Sequence, residues 1–345
     1  MATGTAQLLW CPNEFINYDF GLPRRNPALD DSPPLLHTYP NLHVLSKHPD
    51  PHPLAAPAVF SGSTNPNQIP SRQLNFCVIA DFFEEDLVRG AELNISALIG
   101  NLRQTHKVTT RRSHLVTPDF INQNDSIWIV SNRTNLSRRA EKALLSKRYY
   151  LVENDAGWLA SRDFGLYPDF IPPSRQIVHR DLYEGAIKVV MQSKRHEHAI
   201  NQALHLANTV CSNGNSWSGS DLELFRELNK ARKMEGYAVL MNRHPSKGTE
   251  RAIDYCIKNG LDYKIIPELP RPQYLAEMSR FKALVFFPEI FESYGRVAAE
   301  MCALGGSIIT NDKLSFRYEE HSSLKGLDLV NFMEANNQSI VRIFE

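Results

Sequence analysis

The alternation of apolar and polar positions changes character at residue 73. LNFCVIA (74–80) is a continuous apolar run, the pattern of a strand covered on both faces. A loop, DFFEEDLVRG, follows, and the apolar spacing through Glu92–Leu102 then predicts a helix. IWIV (127–130) predicts a second strand, 137–147 a polar helix, and YYLVE (149–153) a third strand. Beyond a loop rich in proline and aromatic residues (156–176) the alternation resumes. AIKVVMQ, TVCSN, YAVLMNR (237–243), YKIIPE (263–268), ALVFFPE (283–289) and SIITND (307–312) each sit beside a helix-like stretch. Strands alternating with helices of about 10–15 residues predict βαβ units and parallel sheets. Two such series, divided near residue 180, predict an α/β fold of two Rossmann-like domains facing a cleft. They span 73–180 and 181–320, with a C-terminal helical segment at 321–345. Ligands of such folds bind at the carboxyl ends of the strands.

Residues 1–72 stand apart, holding 12 of the chain's 21 prolines. Proline fixes φ and removes an amide donor, which excludes long helices and central strands. This leader is either flexible or an irregular strap across a domain surface.

Composition narrows the function classes. With 345 residues, two domains are the expectation, and 42% hydrophobic residues supply sizeable cores. Lys+Arg and Asp+Glu both total 38, so the chain lacks the basic excess of a protein that coats DNA or an anionic membrane. No apolar run approaches the roughly 20 residues of a membrane span. The start, MATGTAQLLWCPNEF, has no signal-peptide pattern. Five scattered cysteines without a CxxC pair suggest neither a disulfide framework nor a zinc ribbon. The expected setting is soluble, reducing and cytoplasmic.

Two stretches carry candidate chemistry. In ALVFFPEIFESYGRVAAEMCALGGSIITND (283–312) a strand leads through a loop to a helix expected to open near Ser293–Gly295. Glu292 and Glu300 are separated by seven residues, about 12 Å along a helix axis. One carboxylate would stand at the helix opening and the other two turns below. Each could hold vicinal hydroxyls, while amides around Ser293, Tyr294 and Gly295 suit a phosphate or sugar hydroxyl. The bland alternative is a glutamate balancing the helix dipole plus a solvated one. In AVLMNRHPSKG (238–248), Arg243 and Lys247 fall at another strand–helix junction, where cations can receive a diphosphate. Their alternative is ordinary exposed loop charge.

Taken together, Arg243-x3-Lys247-Gly248 and FFPEIFESYGRVAAE resemble the donor-binding domain of retaining, GT4-like glycosyltransferases of the GT-B fold. The resemblance covers roughly residues 74–312. It implies a nucleotide-sugar donor, a UDP- or GDP-sugar, with Arg243 and Lys247 on its diphosphate. Glu292 would contact the transferred sugar and Glu300 the ribose. VRGAELN (88–94) resembles the family's Gly-Gly-Ala-Glu turn, with Arg89 in place of the first glycine and Gly90 left to approach the ligand. Where many relatives carry a histidine near the sugar, this chain offers Glu153, Asn154 and Asp155. Asp155 is either an acceptor-activating or sugar-contacting carboxylate, or a turn former or cap.

Other features are weaker. His196 and His198 do not share a helix face, His48 and His52 sit among prolines, and Asp221-Leu-Glu223 reads as a first helical turn capped by Ser220. No metal and no obligatory cofactor are expected. Residues 72–150 carry 12 basic and 8 acidic residues, with Arg133, Arg138, Arg139, Lys142, Lys147 and Arg148 as a basic set. A solvated helix face or an anionic acceptor explains it. The expected function is an EC 2.4 hexosyltransferase, with retention following from the resemblance alone. Its acceptor would be a glycan, a lipid-linked glycan or nucleic acid, a neutral sugar being held by stacking near Trp158. The alternatives are a sugar-nucleotide epimerase of related fold and a non-catalytic nucleotide-sugar binding protein.

Overall fold

Strands with apolar residues on both faces need cover from two layers, and the structure supplies it. The computed structural model describes residues 43–44, 73–230 and 235–345. Its strands, in chain order, are β1 (His43–Val44), β2 (Asn75–Ala80), β3 (Lys107–Arg112), β4 (Ile127–Val130), β5 (Tyr149–Val152) and β6 (Val189–Met191). There follow β7 (Thr209–Cys211), β8 (Glu235–Leu240), β9 (Tyr263–Ile266), β10 (Phe281–Phe286) and β11 (Ser307–Thr310). One sheet has the order β3-β2-β4-β5-β6-β7 and is wholly parallel. The second has the order β1-β11-β10-β8-β9, parallel except for β1, which runs antiparallel to β11 at the edge. The chain is thus two Rossmann-like sheets covered by helices.

Side-chain alternation divides each strand between two cores. In β2, Cys77 and Ile79 join Trp128, Val130, Tyr149 and Leu151 on one face. Phe76, Val78 and Ala80 point the other way, against Ile95, Leu98 and Ile99 of the helix Gly90–Leu102. In the second sheet Leu284 and Phe286 pack with Ala298, Ala299 and Met301, while Val239 and Val285 pack with Ala252 and Cys256.

One expectation changes, and two findings add to the rest. First, β6 and β7 belong to the first sheet, so the chain crosses to the second sheet only after Cys211, not near residue 180. The apolar runs show strands but not their partners. Second, the C-terminal segment bridges both halves. On the helix Leu327–Arg342, Leu329, Val330 and Met333 pack in the second half's core, whereas Ile340 and the following Phe344 pack in the first. Third, KVTTRR is the edge strand β3, with Val108 its one buried apolar side chain. Its charges guard an open sheet edge, which is why an apolar run never announced it. The rest of the leader lies outside the described residues.

Each sheet reverses strand order once, between β2 and β4 in the first and between β8 and β10 in the second. Crevices form at the carboxyl ends of the strands at such switch points. The loops after those four strands contain most of the residues singled out in the sequence.

Candidate functional site

The loops after β8 and β10 are tied together. Glu289 N–H donates to Ser246 O (2.7 Å), and Lys247 Nζ lies 2.6 Å from Glu292 Oε1. Gly248 is required here: its φ is +64°, and a Cβ would stand 1.8 Å from Phe287 O. Gly295 has φ +94°, and a Cβ there would meet Leu314 Cδ1 at 2.2 Å. It caps the helix Arg296–Ala303, so the helix opens one residue beyond the expected Ser293–Gly295. Glu292 lies in the preceding loop, and only Glu300 is helical. The seven-residue spacing therefore does not run along one helix axis. Arg243 is exposed on the loop after β8.

Glu300 is 1% exposed and belongs to a closed charge cluster. Its Oε1 accepts from Arg271 Nη1 (2.8 Å) and Arg296 Nε (3.1 Å). Asp221 receives Arg271 in a fork (3.0 and 2.9 Å) and Arg296 Nη2 (3.0 Å). Arg296 also donates to Ser216 O (3.0 Å) and stacks its guanidinium 3.9 Å from the Trp217 ring centre. Burial opposes the charge on Arg271, but Glu300 and Asp221 outweigh it and hold the guanidinium above its usual range. Two cations meet two anions, which is how four charges tolerate burial. The expectation of Glu300 as a free carboxylate is corrected accordingly: it already has two arginine partners. Asp221 is an integral member of this cluster, and the residue capping its turn is Ser218, whose Oγ accepts from Asp221 N–H (3.1 Å), not Ser220.

The two halves meet at Asn154. Its Nδ2 donates to Ser131 Oγ (2.8 Å) and Asn132 Oδ1 (3.1 Å), and its Oδ1 accepts from Asn94 (3.0 Å) and Gln192 (2.5 Å). From the other half, Ser293 Oγ donates to Asn154 O (2.6 Å) and lies 3.1 Å from Gln192 Oε1. Ser293 is thus 8% exposed and a bridge between halves. Tyr294 is buried, with its hydroxyl 2.9 Å from His321 Nε2, and points into the core. Gly90 begins its helix with Arg296 across from it; a Cβ would touch Arg296 Cβ at an ordinary 3.8 Å. No protein atom forces glycine there.

Asp155 follows β5 and lines a cavity of about 330 Å³ with Arg133, Glu153 and Arg162. Arg162 is its ion-pair partner. Arg133 is not on a solvated face as the basic set implied. It is 8% exposed and bonded to both Glu153 and the Tyr183 hydroxyl. Burial works against ionisation of Glu153, but the charge of Arg133 prevails and holds the carboxyl below its usual range. Arg138, Arg139 and Lys142 are exposed, as a solvated helix face requires. Trp158 is fully buried among Phe164, Tyr183 and His196, so it offers no stacking platform. His196 is buried with Nε2 2.8 Å from Asp155 O, and burial lowers its pKa to about 4. Among the described residues no group of three or more His, Cys, Asp or Glu side chains is arranged to hold a metal.

No family model and no curated protein matches the chain. Solved structures do. Sucrose-phosphate synthase from Thermosynechococcus elongatus superposes with a TM-score of 0.52 at 10% identity, over 79% of this chain and 98% of that one. The fold is GT-B. The catalytic domain of starch synthase IV from Arabidopsis thaliana, bound to ADP and acarbose, aligns over 79% and 98% with a TM-score of 0.47 and 10% identity. An alpha-glucosyltransferase in complex with UDP and a DNA 13-mer aligns over 78% and 90%, with a TM-score of 0.47 and 11% identity.

Sequence reading missed Arg271, Arg296 and Arg162, and it took Asp221 for a helix-turn residue rather than a partner of two arginines. Arg271 had a usable signal, since it opens a helix just beyond the carboxyl end of β9. Arg296 had one too, standing four residues before Glu300 on the same helix. Asp221 and Arg162 had none, because the arginines that reach Asp221 are 50 or more residues away and Arg162 sits in an irregular loop. No helix of the described residues is long and apolar enough to cross a membrane.

Proposed function

We propose that the chain is a cytoplasmic hexosyltransferase that takes a nucleotide-sugar donor and transfers with retention. The observation that carries this reading is the Lys247–Glu292 contact at the β8/β10 switch point of a GT-B fold, with Glu300 one turn into the helix that follows and paired to Arg271 at the opening of the helix after β9. A cation beside a carboxylate serves both parts of such a donor. Lys247, with Arg243 on the same loop, meets diphosphate charge, and Glu292 accepts hydroxyls of the sugar. Glu300 accepts the ribose hydroxyls by releasing one arginine contact, and Arg271 is free to follow the nucleotide because it retains Asp221.

In the transfer, the bond from the anomeric carbon to the diphosphate oxygen breaks and its electron pair leaves with the diphosphate. The acceptor oxygen bonds to that carbon, and its proton passes to Asp155. Lys247 and Arg243 stabilise the departing charge where it develops. The donor base is uridine or guanosine. Calorimetry with UDP, ADP and GDP tests the donor site. Glu300→Gln should weaken nucleotide binding while Glu292→Gln spares it and impairs use of the intact donor. Lys247→Ala should lower kcat/KM by about 10²-fold. Nucleotide binding with full activity in Lys247→Ala and Arg243→Ala would exclude the leaving-group role. Release of an altered sugar nucleotide from donor alone would favour the epimerase reading.

A further inference from the structure

The cavity beside Asp155 lies at the carboxyl ends of β4 and β5, one peptide from the Ser293–Asn154 bridge and so beside the loop carrying Glu292. Its 330 Å³ falls at the small end of the range for small-molecule sites. Its walls are polar, with Leu136, Val152 and Gly157 the exceptions.

The cations in those walls are already matched. Arg133 pairs with Glu153, Arg162 with Asp155, and Arg138 with Glu141 at 2.9 Å. His179 Nδ1 also lies 2.9 Å from Glu141. A phosphate or carboxylate entering here would take a guanidinium from its partner and leave a second anion enclosed, a costly exchange. Hydroxyls face no such exchange, since each donates and accepts. The carboxylate oxygens accept from them. The full burial of Trp158 removes the one aromatic face expected nearby, so hydrogen bonds rather than stacking must hold the occupant.

We propose that this cavity receives the reacting end of the acceptor, and that this end is a single neutral, hydroxyl-rich unit of about one sugar ring rather than a polyanion. This inference rests on the transferase reading above. It replaces the anionic acceptor suggested by the basic set, because Arg133 is spent internally and the remaining cations of the wall carry carboxylate partners. Asp155 is the most accessible carboxylate of the three pairs, with 43% of its side chain exposed, and Arg162 orients it. The hydroxyl it contacts is the one that reacts.

Saturation-transfer NMR on the full chain tests this directly, with glucose, galactose and mannose as neutral probes and glucose 6-phosphate and a single-stranded DNA oligonucleotide as anionic ones. At least one neutral hexose should bind, with less than a twofold change in affinity between about 50 and 200 mM salt. Thr134→Trp, at an exposed position of the wall, should abolish the signal. Arg138→Trp at the rim repeats the test if the first variant fails to fold. The inference is overturned if no neutral hexose binds, if an anionic probe binds over tenfold more tightly with a steep salt dependence, or if both folded variants bind the hexose normally. UDP calorimetry on the same preparations separates the two readings. UDP binding without hexose binding removes the acceptor assignment alone. Hexose binding without binding of UDP, ADP or GDP removes the transferase reading and leaves a sugar site.

Discussion

The two halves of the molecule treat charge differently at the same place in the fold. At the carboxyl ends of the first sheet, Arg133–Glu153 and Arg162–Asp155 stand in the wall of a cavity. In the second half, Arg271, Arg296, Asp221 and Glu300 close on one another and pack against Trp217. Within each half one pair is buried and another reaches solvent: Arg133–Glu153 against Arg162–Asp155, and Arg271–Glu300 against Lys247–Glu292. The buried pairs fix geometry, because an unpartnered charge in the interior is expensive, and Glu300 can yield one contact to a ribose only because a second arginine stays with it. The exposed ones are free to exchange their partner for a ligand, because water covers part of the loss.

The largest effect should come from breaking a buried pair. Arg133→Ala strands Glu153 and should cost about 3–5 kcal/mol in urea denaturation, and Glu300→Ala should cost somewhat less, because it leaves two buried arginines sharing Asp221 as their carboxylate. Arg162→Ala should cost at most about 1 kcal/mol, because its pair is a third or more exposed. Equal losses from Arg133→Ala and Arg162→Ala would erase the contrast.

Acid should sharpen it next. His196 and His321 are buried neutral bases, each with a pKa lowered to about 4, burial being the main cause in both. The unfolded chain binds their protons near pH 6.5, and the folded chain does not until about pH 4. Stability therefore falls as the pH drops through that window, by up to about 3 kcal/mol for each histidine. His196→Gln should flatten the loss between pH 6.5 and 4 in a denaturation series, and an unchanged slope would remove His196 from this account. The smallest effect belongs to the link between halves. Ser293→Ala removes the hydrogen bond to Asn154 O and should cost about 1 kcal/mol. It should also raise the KM for donor more than it lowers kcat. A kcat effect alone would place Ser293 in the chemistry rather than in the bridge.

Sequence by itself determined the strands that are apolar throughout, since runs such as NFCVIA and FKALVF need cover on both faces whatever they pair with. It also located Lys247, Gly248, Glu292 and Gly295, whose spacing is set by two local strand–loop–helix junctions. Strand β3 stayed hidden because an edge needs charge rather than apolar side chains. The crossing after Cys211 was equally illegible, because hydrogen-bonded pairing between parallel strands is non-local. Tertiary structure alone decided that Glu300 is clasped by Arg271 and Arg296, that Trp158 is core, and that Arg133 is buried with Glu153. A charged residue's role depends on which partner reaches it and how much water remains, and both follow from contacts between segments that the chain order keeps apart.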